Sequence, residues 1–453
     1  MTWITRDRQF YTRFFRLTFM IGLQNIITVA VAVSDNLILG GYSETALSAS
    51  ALANQIQFIA TFLMIGCAQG VVIVAARYRG SGQEHLIGQA TSAGMVISLG
   101  IGIVMWLASF LFATPILSMM TNEEEIVREG ALFLTIIAWS YVFYAVTNVL
   151  LATLRSLEIV RIGLIVSVCT LVVNIVLNIV LVYGYLGLPS LGVEGSAIAT
   201  LISRIIECLL VVGYVRIRQL SAIPRLRDYM SLSVNVWKSY IQVSLPILLA
   251  SLSWAAAMAL QTGILGHMGT AAIAANSVAT SIFQFVTVGA YAAASASSVI
   301  MGKTVGEGNM TQVKLYSRTL QFIYVRIGLV TGIALYVLKD HVLFLYSISP
   351  DTRELALTFM TILSITVVGT SYEMPSLSGI VQSGGDTKFV MYNDFIFMWL
   401  LILPLSLLGA FVWNWSPVWI FLILKSDQML KCIVAAVKVN RYRWIKNIGD
   451  QGR

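Results

Sequence analysis

"LGGYSETALSASALANQIQFIATFLMIGCAQGVVIVAARYRGSGQ" (residues 39–83) and "LGHMGTAAIAANSVATSIFQFVTVGAYAAASASSVIMGKTVGEGN" (residues 265–309) align without a gap at an offset of 226. Leu39 and Gly40 face Leu265 and Gly266, Ala46 and Ala49 face Ala272 and Ala275, and Arg77, Gly80 and Gly82 face Lys303, Gly306 and Gly308. Agreement at a fixed offset over so long a stretch is the mark of an internal duplication. Each copy is mostly apolar and long enough to cross a bilayer, so the repeated unit belongs to a membrane protein.

The rest of the chain follows that reading. It has 453 residues, 58% of them hydrophobic and 11% charged, with a mean hydropathy of +0.83, outside the range of soluble domains. Stretches of about 20 apolar residues bounded by polar turns predict roughly twelve spans. They lie at 14–40, 50–76, 87–112, 131–151, 162–187, 194–215, 238–266, 272–300, 319–338, 356–383, 394–412 and 416–437. The fold class expected is therefore all-α and polytopic, twelve transmembrane helices as two six-helix repeats. Residues 1–220 form the first lobe and 221–453 the second, with a cytoplasmic linker at about 216–237, "RIRQLSAIPRLRDYMSLSVNVW".

The net charge of +8 does not point to nucleic acid, because the basic residues sit on alternate loops. With the N-terminus inside, the termini and inner loops hold about 22 of the 29 Lys and Arg residues, as the positive-inside rule requires. Both termini are expected in the cytoplasm and the protein in the cytoplasmic membrane, as a monomer. No short apolar core with a small-residue cleavage site follows Arg6, Arg8, Arg13 and Arg16, so the first span is expected to be retained. Cys67, Cys169, Cys208 and Cys432 all fall within spans without ligand spacing, and read as packing residues. His85, His267 and His341 are scattered at span ends, which predicts neither a metal cluster nor a histidine-based centre. No cofactor and no dedicated metal is expected.

One carboxylate stands out. "AVAVSDNLILGG" (30–41) places Asp35 within an apolar run, where an ionisable group costs at least about 2.5–3.5 kcal/mol on insertion scales and is a functional candidate by default. The offset carries Asp35 to Gln261, so the acid in one half is an amide in the other and a site built on Asp35 is asymmetric, lying mainly in the first half.

These residues resemble the multidrug and toxic compound extrusion (MATE) transporters, within the larger group that includes lipid-linked oligosaccharide flippases. The resemblance covers essentially the whole chain: "VSDNLILG" in span 1, the "ARYRGSGQ" and "GKTVGEGN" loops, "LRSLEIVR" and its partner "QSGGDTKF", and "GSAIAT" opening span 6. It implies export of drugs or metabolites, often organic cations, driven by inward H+ or Na+. It also implies a cation site whose matching positions are Asp35, Asn174, Asn178 and Thr200. Depth agrees with that set. Spans 1 and 5 run outward and span 6 inward, and Asp35 is five residues before Gly40, Asn178 six before Gly184 and Thr200 five after Gly195. At about 1.5 Å per residue, all three lie roughly 8–9 Å below their helix ends, where they can meet. Asn174 shares a face with Asn178, one turn deeper. Carboxylate, amide and hydroxyl oxygens can coordinate Na+, and the same groups can hold a protonated aspartate. Some members have a second aspartate in span 5 where this chain has Asn178, which leaves H+ and Na+ both open. Many carry a proline where this chain has Met20, whose counterpart at the 226 offset is Pro246. A proline-centred bend is thus not expected in span 1, and span 7 is expected to be kinked there.

Further candidates line the expected pathway. Glu373, just before Pro375, can bind a cationic substrate or a second proton. Tyr141, Tyr144, Trp254, Gln261, Gln284, Tyr291 and Tyr372 can line a cavity for planar amphipathic cations by stacking and cation–π contact. Arg204 and Glu207, spaced i,i+3, read as a structural pair, and Asp394, Lys425, Asp427 and Lys431 as further pairs or as residues close to the membrane interfaces. The expected function is a cation-coupled efflux antiporter working by a rocker switch between the lobes, not an enzyme, with the lipid bilayer and a small molecule as partners. A lipid-linked precursor flippase is the first alternative and a polytopic membrane enzyme the second. The first would favour a strongly cationic cavity, and the second would need Asp35 and Glu373 at one depth with a metal or nucleophile.

Overall fold

The computed structural model describes residues 4–218, 229, 233–343 and 349–446. Most of the expected linker at 216–237 lies outside the described residues. Among those residues the structure is helical. The helices are α1 (Arg8–Tyr42), α2 (Glu44–Gly80), α3 (His85–Ser118), α4 (Glu124–Ala138), α5 (Ser140–Ser156), α6 (Arg161–Tyr183), α7 (Gly192–Ile217), α8 (Val234–His267), α9 (Thr270–Gly306), α10 (Met310–Leu343), α11 (Pro350–Met374), α12 (Thr387–Phe395), α13 (Leu403–Phe411) and α14 (Pro417–Arg441). A π-helical segment, Pro375–Val381, continues α11, and a second, Ile396–Ile402, joins α12 to α13.

Each of the twelve expected spans coincides with one of these elements or a joined pair. Ten helices among the described residues are long and apolar enough to cross a membrane, and α4 with α5 make an eleventh, bent by 44°. The twelfth, α14, is 25 residues long but carries Lys425, Asp427 and Lys431 in its interior, which explains its lower apolar content. This is a multi-pass membrane protein.

The duplication persists in three dimensions. Helices that start at Arg8, Glu44, His85, Glu124, Arg161 and Gly192 are matched by helices that start at Val234, Thr270, Met310, Pro350, Thr387 and Pro417, each 225 or 226 residues later. The repeated loop glycines have a physical reason: Gly82 and Gly308 stop α2 and α9 with φ of +75° and +71°, a left-handed conformation in which a Cβ is strained. By contact the chain forms two compact units. One comprises Leu23–Arg79 and Gln83–Ser244; the other comprises the chain up to Gly22, Gly80–Gly82, and Leu245 onward. The start of α1 therefore packs with the second unit, where the Thr5 amide donates to Thr319 Oγ1 (3.0 Å) and Tyr316 OH donates to Asp7 (3.0 Å). The start of α8 packs with the first, where Tyr240 OH donates to the Cys67 carbonyl (3.0 Å).

In the first unit a core of Leu39, Ile56, Leu117, Phe133, Val182 and their neighbours closes α1, α2, α3, α4, α6 and α7 around one apolar centre. The α6–α7 hairpin turns at Gly184 (φ +74°) and is pinned by the Leu191 amide to the Leu181 carbonyl (3.0 Å) and by Ser190 Oγ to the Val182 carbonyl (2.8 Å). In the second unit the equivalent centre includes Phe359 stacked on Phe421 at 3.9 Å between ring centroids.

Pro246 lies inside α8, which spans Val234–His267; helix breaks occur at Phe112, three residues before Pro115 in α3, and between α4 and α5. One expectation needs correction: Cys67 and Cys208 are buried, but Cys169 is exposed and is no packing residue.

The close approach of α6 and α7 depends on Gly195, where an added Cβ would sit 2.7 Å from the Leu181 carbonyl carbon. Because the obstacle is backbone, Gly195→Ala is expected to destabilise the protein by about 1–3 kcal/mol. A lowered melting temperature of the detergent-solubilised variant is the expected result; an unchanged one would contradict this packing.

Candidate functional site

Asp35 projects from the apolar second half of α1, where it is half-buried. It meets the α6–α7 hairpin. Asn178 Nδ2 donates to Asp35 Oδ1 at 2.5 Å, and the Asn174 and Thr200 side chains stand near enough to act on the same carboxylate. Asn174 Nδ2 also donates to Thr200 Oγ1 at 3.3 Å. Both asparagines are fully buried and Thr200 is 6% exposed. The structure thus brings together the four residues that the resemblance implies and whose depths agree, and pairs Asn174 rather than Asn178 with Thr200.

Asparagine spacing on α6 sets the geometry. Four residues place both amides on one face, each nitrogen donates inward, and neither amide oxygen receives a hydrogen bond from the protein. Buried polar atoms are ordinarily satisfied, so two such acceptors beside a carboxylate mark a place for a cation or a donor. Ser196 belongs to the same level, and the sequence reading missed it. One turn along the antiparallel helices from the Asn174–Thr200 pair stand Asn178 and Ser196, the latter fully buried with a hydroxyl that no partner reaches. Its signal in the sequence was the i,i+4 spacing from Thr200.

The nearest positive charge is otherwise engaged. Arg204 acts on Asp35 through space, but its guanidinium is bonded to Glu207 at 2.7 Å, as their spacing predicts, and lies over the Tyr144 ring at 4.7 Å. Among the described residues Asp35 forms no ion pair, and no three His, Cys, Asp or Glu side chains gather as a metal site.

The remaining candidates are dispersed over the two units. Tyr141 is buried in the first unit with an unpartnered hydroxyl. In the second, Gln261 is buried and donates to Met398 Sδ (3.2 Å), Trp254 packs on the apolar core, and Tyr372 OH donates to Gln321 (2.8 Å). Gln284 and Tyr291 are exposed, and Tyr291 stands within electrostatic reach of Glu373. Glu373 in turn faces a charged group centred on Lys431, which is bonded to Asp394 (3.0 Å) and Asp427 (3.3 Å). The Asp427–Lys431 pair was visible as i,i+4 spacing; the approach of Glu373 and Asp394 from two other helices was not.

"QSGGDTK" has a structural account. Asp386 is buried and bonded to Lys438 (2.7 Å) and Lys446 (3.1 Å), while Gly384 leaves room for the buried Trp444 indole, which an added Cβ would meet at 2.0 Å. Its partner loop uses Arg79, which donates to Glu158 (3.4 Å) and the Ser156 carbonyl (3.2 Å).

A hydrogen bond to a charged group is worth about 1.5–3 kcal/mol. In a double-mutant cycle with Asn178→Ala and Asp35→Ala, read by unfolding of the solubilised protein, a coupling energy of about 1–3 kcal/mol is expected. Strict additivity would contradict the Asp35–Asn178 bond.

The arrangement has relatives. The MatE family model matches residues 21–180 and 246–408, covering the larger part of both halves. Among solved structures, a Vibrio cholerae MATE transporter, VcmN, in a mutant form, is 17% identical, with a TM-score of 0.88 over 98% of this chain and 99% of that one. A MOP superfamily transporter from Pyrococcus furiosus is 18% identical, with a TM-score of 0.87 over 98% and 100%. The eukaryotic MATE transporter AtDTX14 is 18% identical, with a TM-score of 0.85 over 96% and 97%. Identities this low carry the fold alone, whereas the family model spans both repeats: the chain belongs to the MatE family and has the MATE transporter fold.

Proposed function

We propose that the protein is an efflux antiporter in which inward movement of H+ or Na+ drives export of a small amphipathic organic cation across the cytoplasmic membrane. One observation carries this reading: Asp35, a carboxylate inside an apolar helix, is bonded by the neutral amide of Asn178 and forms no ion pair among the described residues. A permanently charged carboxylate in such a place calls for a countercharge, and a passing cation supplies one. Either ion suits the donors. A proton converts the carboxylate to a donor for the Asn174 or Asn178 oxygen, and Na+ takes oxygen ligands from the same set.

Neutralising Asp35 changes the hydrogen bonds that tie α1 to α6 and α7, and so favours one access state over the other. Alternating access by a rocker switch, with both termini in the cytoplasm, is the form of transport this reading adopts, with a single copy of the chain as the working unit. Tyr141, Tyr144, Trp254, Gln261, Gln284, Tyr291, Tyr372 and Glu373 are the residues it assigns to the cargo's path. No cofactor enters, and the protein acts as a carrier rather than as a catalyst.

Polarity supports a cationic cargo. For the Pyrococcus furiosus transporter, reverse polarity of the binding pocket suggests a different function. In this chain Asp35 and Glu373 are acidic and Lys431 is held by carboxylates, which favours cations over the phosphates of a lipid-linked precursor.

The test is export of a fluorescent organic cation from proteoliposomes under an imposed H+ or Na+ gradient. Asp35→Asn is expected to lower gradient-driven export by about tenfold or more, within the usual range of coupling between sites. Full gradient-driven export by that variant would overturn the reading.

A further inference from the structure

The second unit holds charges that the Asp35 site does not use. Lys431 and Asp427, each 6% exposed, and Lys425, 8% exposed, lie on α14. Lys431 Nζ is 3.0 Å from Asp394 on α12 and 3.3 Å from Asp427, and Glu373 on α11 is within electrostatic reach of Lys431, Asp394 and Asp427. Lys425 acts on Asp427 and lies 5.6 Å from the Phe421 ring centroid. Carboxylates from three helices thus lie around one buried ammonium, with Asp394 and Asp427 bonded to it and Glu373 within its field.

The backbone departs from α geometry beside this group. Glu373 lies two residues before the π-helical Pro375–Val381, and Asp394 two before Ile396–Ile402. Such segments loosen the regular ladder and occur often at functional sites. Carboxylates inside a membrane protein require a countercharge, and here the chain brings its own on a four-carbon arm.

We propose that Lys431 is a tethered cation: its ammonium fills, permanently and within the chain, the place among Glu373, Asp394 and Asp427 that a small monovalent cation would otherwise take. The second unit then needs no exchangeable ion. The assignment stands on that unit alone; only its consequence, that Asp35 is the carboxylate left for a mobile ion, rests on the antiporter reading. An empty arm is chemically replaceable. With Lys431 shortened to alanine, the three carboxylates form a site for a free primary ammonium that can donate N–H bonds, whereas a quaternary ammonium has none to donate.

The experiment is thermal melting of detergent-solubilised Lys431→Ala at fixed pH and ionic strength, in methylammonium chloride or tetramethylammonium chloride. The variant is expected to melt several degrees below wild type in tetramethylammonium and to recover most of that loss in methylammonium, with wild type indifferent to the exchange. A melting temperature equal to wild type, or the same response to both salts, overturns the proposal. A second variant covers the case in which Lys431→Ala does not fold. Lys431→Ala combined with Glu373→Gln, Asp394→Asn and Asp427→Asn removes the ammonium and all three carboxylates together, and is expected to fold and ignore methylammonium. Failure of this quadruple variant to fold would show that the lysine serves something other than charge, and would also overturn the proposal. Neither readout involves Asp35, so the antiporter reading stands or falls separately.

Discussion

A carboxylate within an apolar helix dictates much of what surrounds it. Asp35 cannot be left without partners, because hydrocarbon offers none, and it is not matched to a lysine or arginine. The α6–α7 hairpin answers with neutral donors: Asn178 bonds to the carboxylate, and Asn174 and Thr200 stand within reach. That arrangement requires two asparagines one turn apart, an antiparallel neighbour in register, and a tight hairpin. Gly184 and Gly195 make the hairpin possible. The site is thus a consequence of helix spacing and close backbone approach, with the loops contributing only the turn.

The two units solve the problem of buried acid in different ways. In the first, Asp35 is solvated by amides and hydroxyls, and the nearby Arg204 is spent on Glu207. In the second, the position equivalent to Asp35 is Gln261, which bonds to a methionine sulfur, while acids on three other helices converge on Lys431. Duplication preserved the helix plan, down to starts that recur every 225 or 226 residues, yet the polar chemistry diverged. Helix placement follows from apolar pattern and turn glycines, which tolerate many sequences; a charge network depends on single side chains and is free to change.

That difference also explains what was legible in the sequence. The spans, the repeat and the isolation of Asp35 follow from hydropathy and offset; the family resemblance singles out Asn174, Asn178 and Thr200, and a rise per residue shows only that Asp35, Asn178 and Thr200 lie at one depth. Arg204–Glu207 and Asp427–Lys431 were readable because each is fixed within one helix. The bond between Lys431 and Asp394 was not, since no local spacing connects two helices 37 residues apart. Nor was the place of Ser196, whose importance depends on the register of α6 against α7.

The central claim is that a mobile cation neutralises Asp35. Infrared difference spectroscopy of the purified protein, with Asp35→Asn as the reference, tests it at the group itself by following the carboxyl and carboxylate bands as pH and Na+ concentration are varied. The account predicts a band that is missing in the variant and that shifts or vanishes when protons or Na+ are exchanged. An Asp35 band that ignores both ions throughout the range in which transport operates would contradict it.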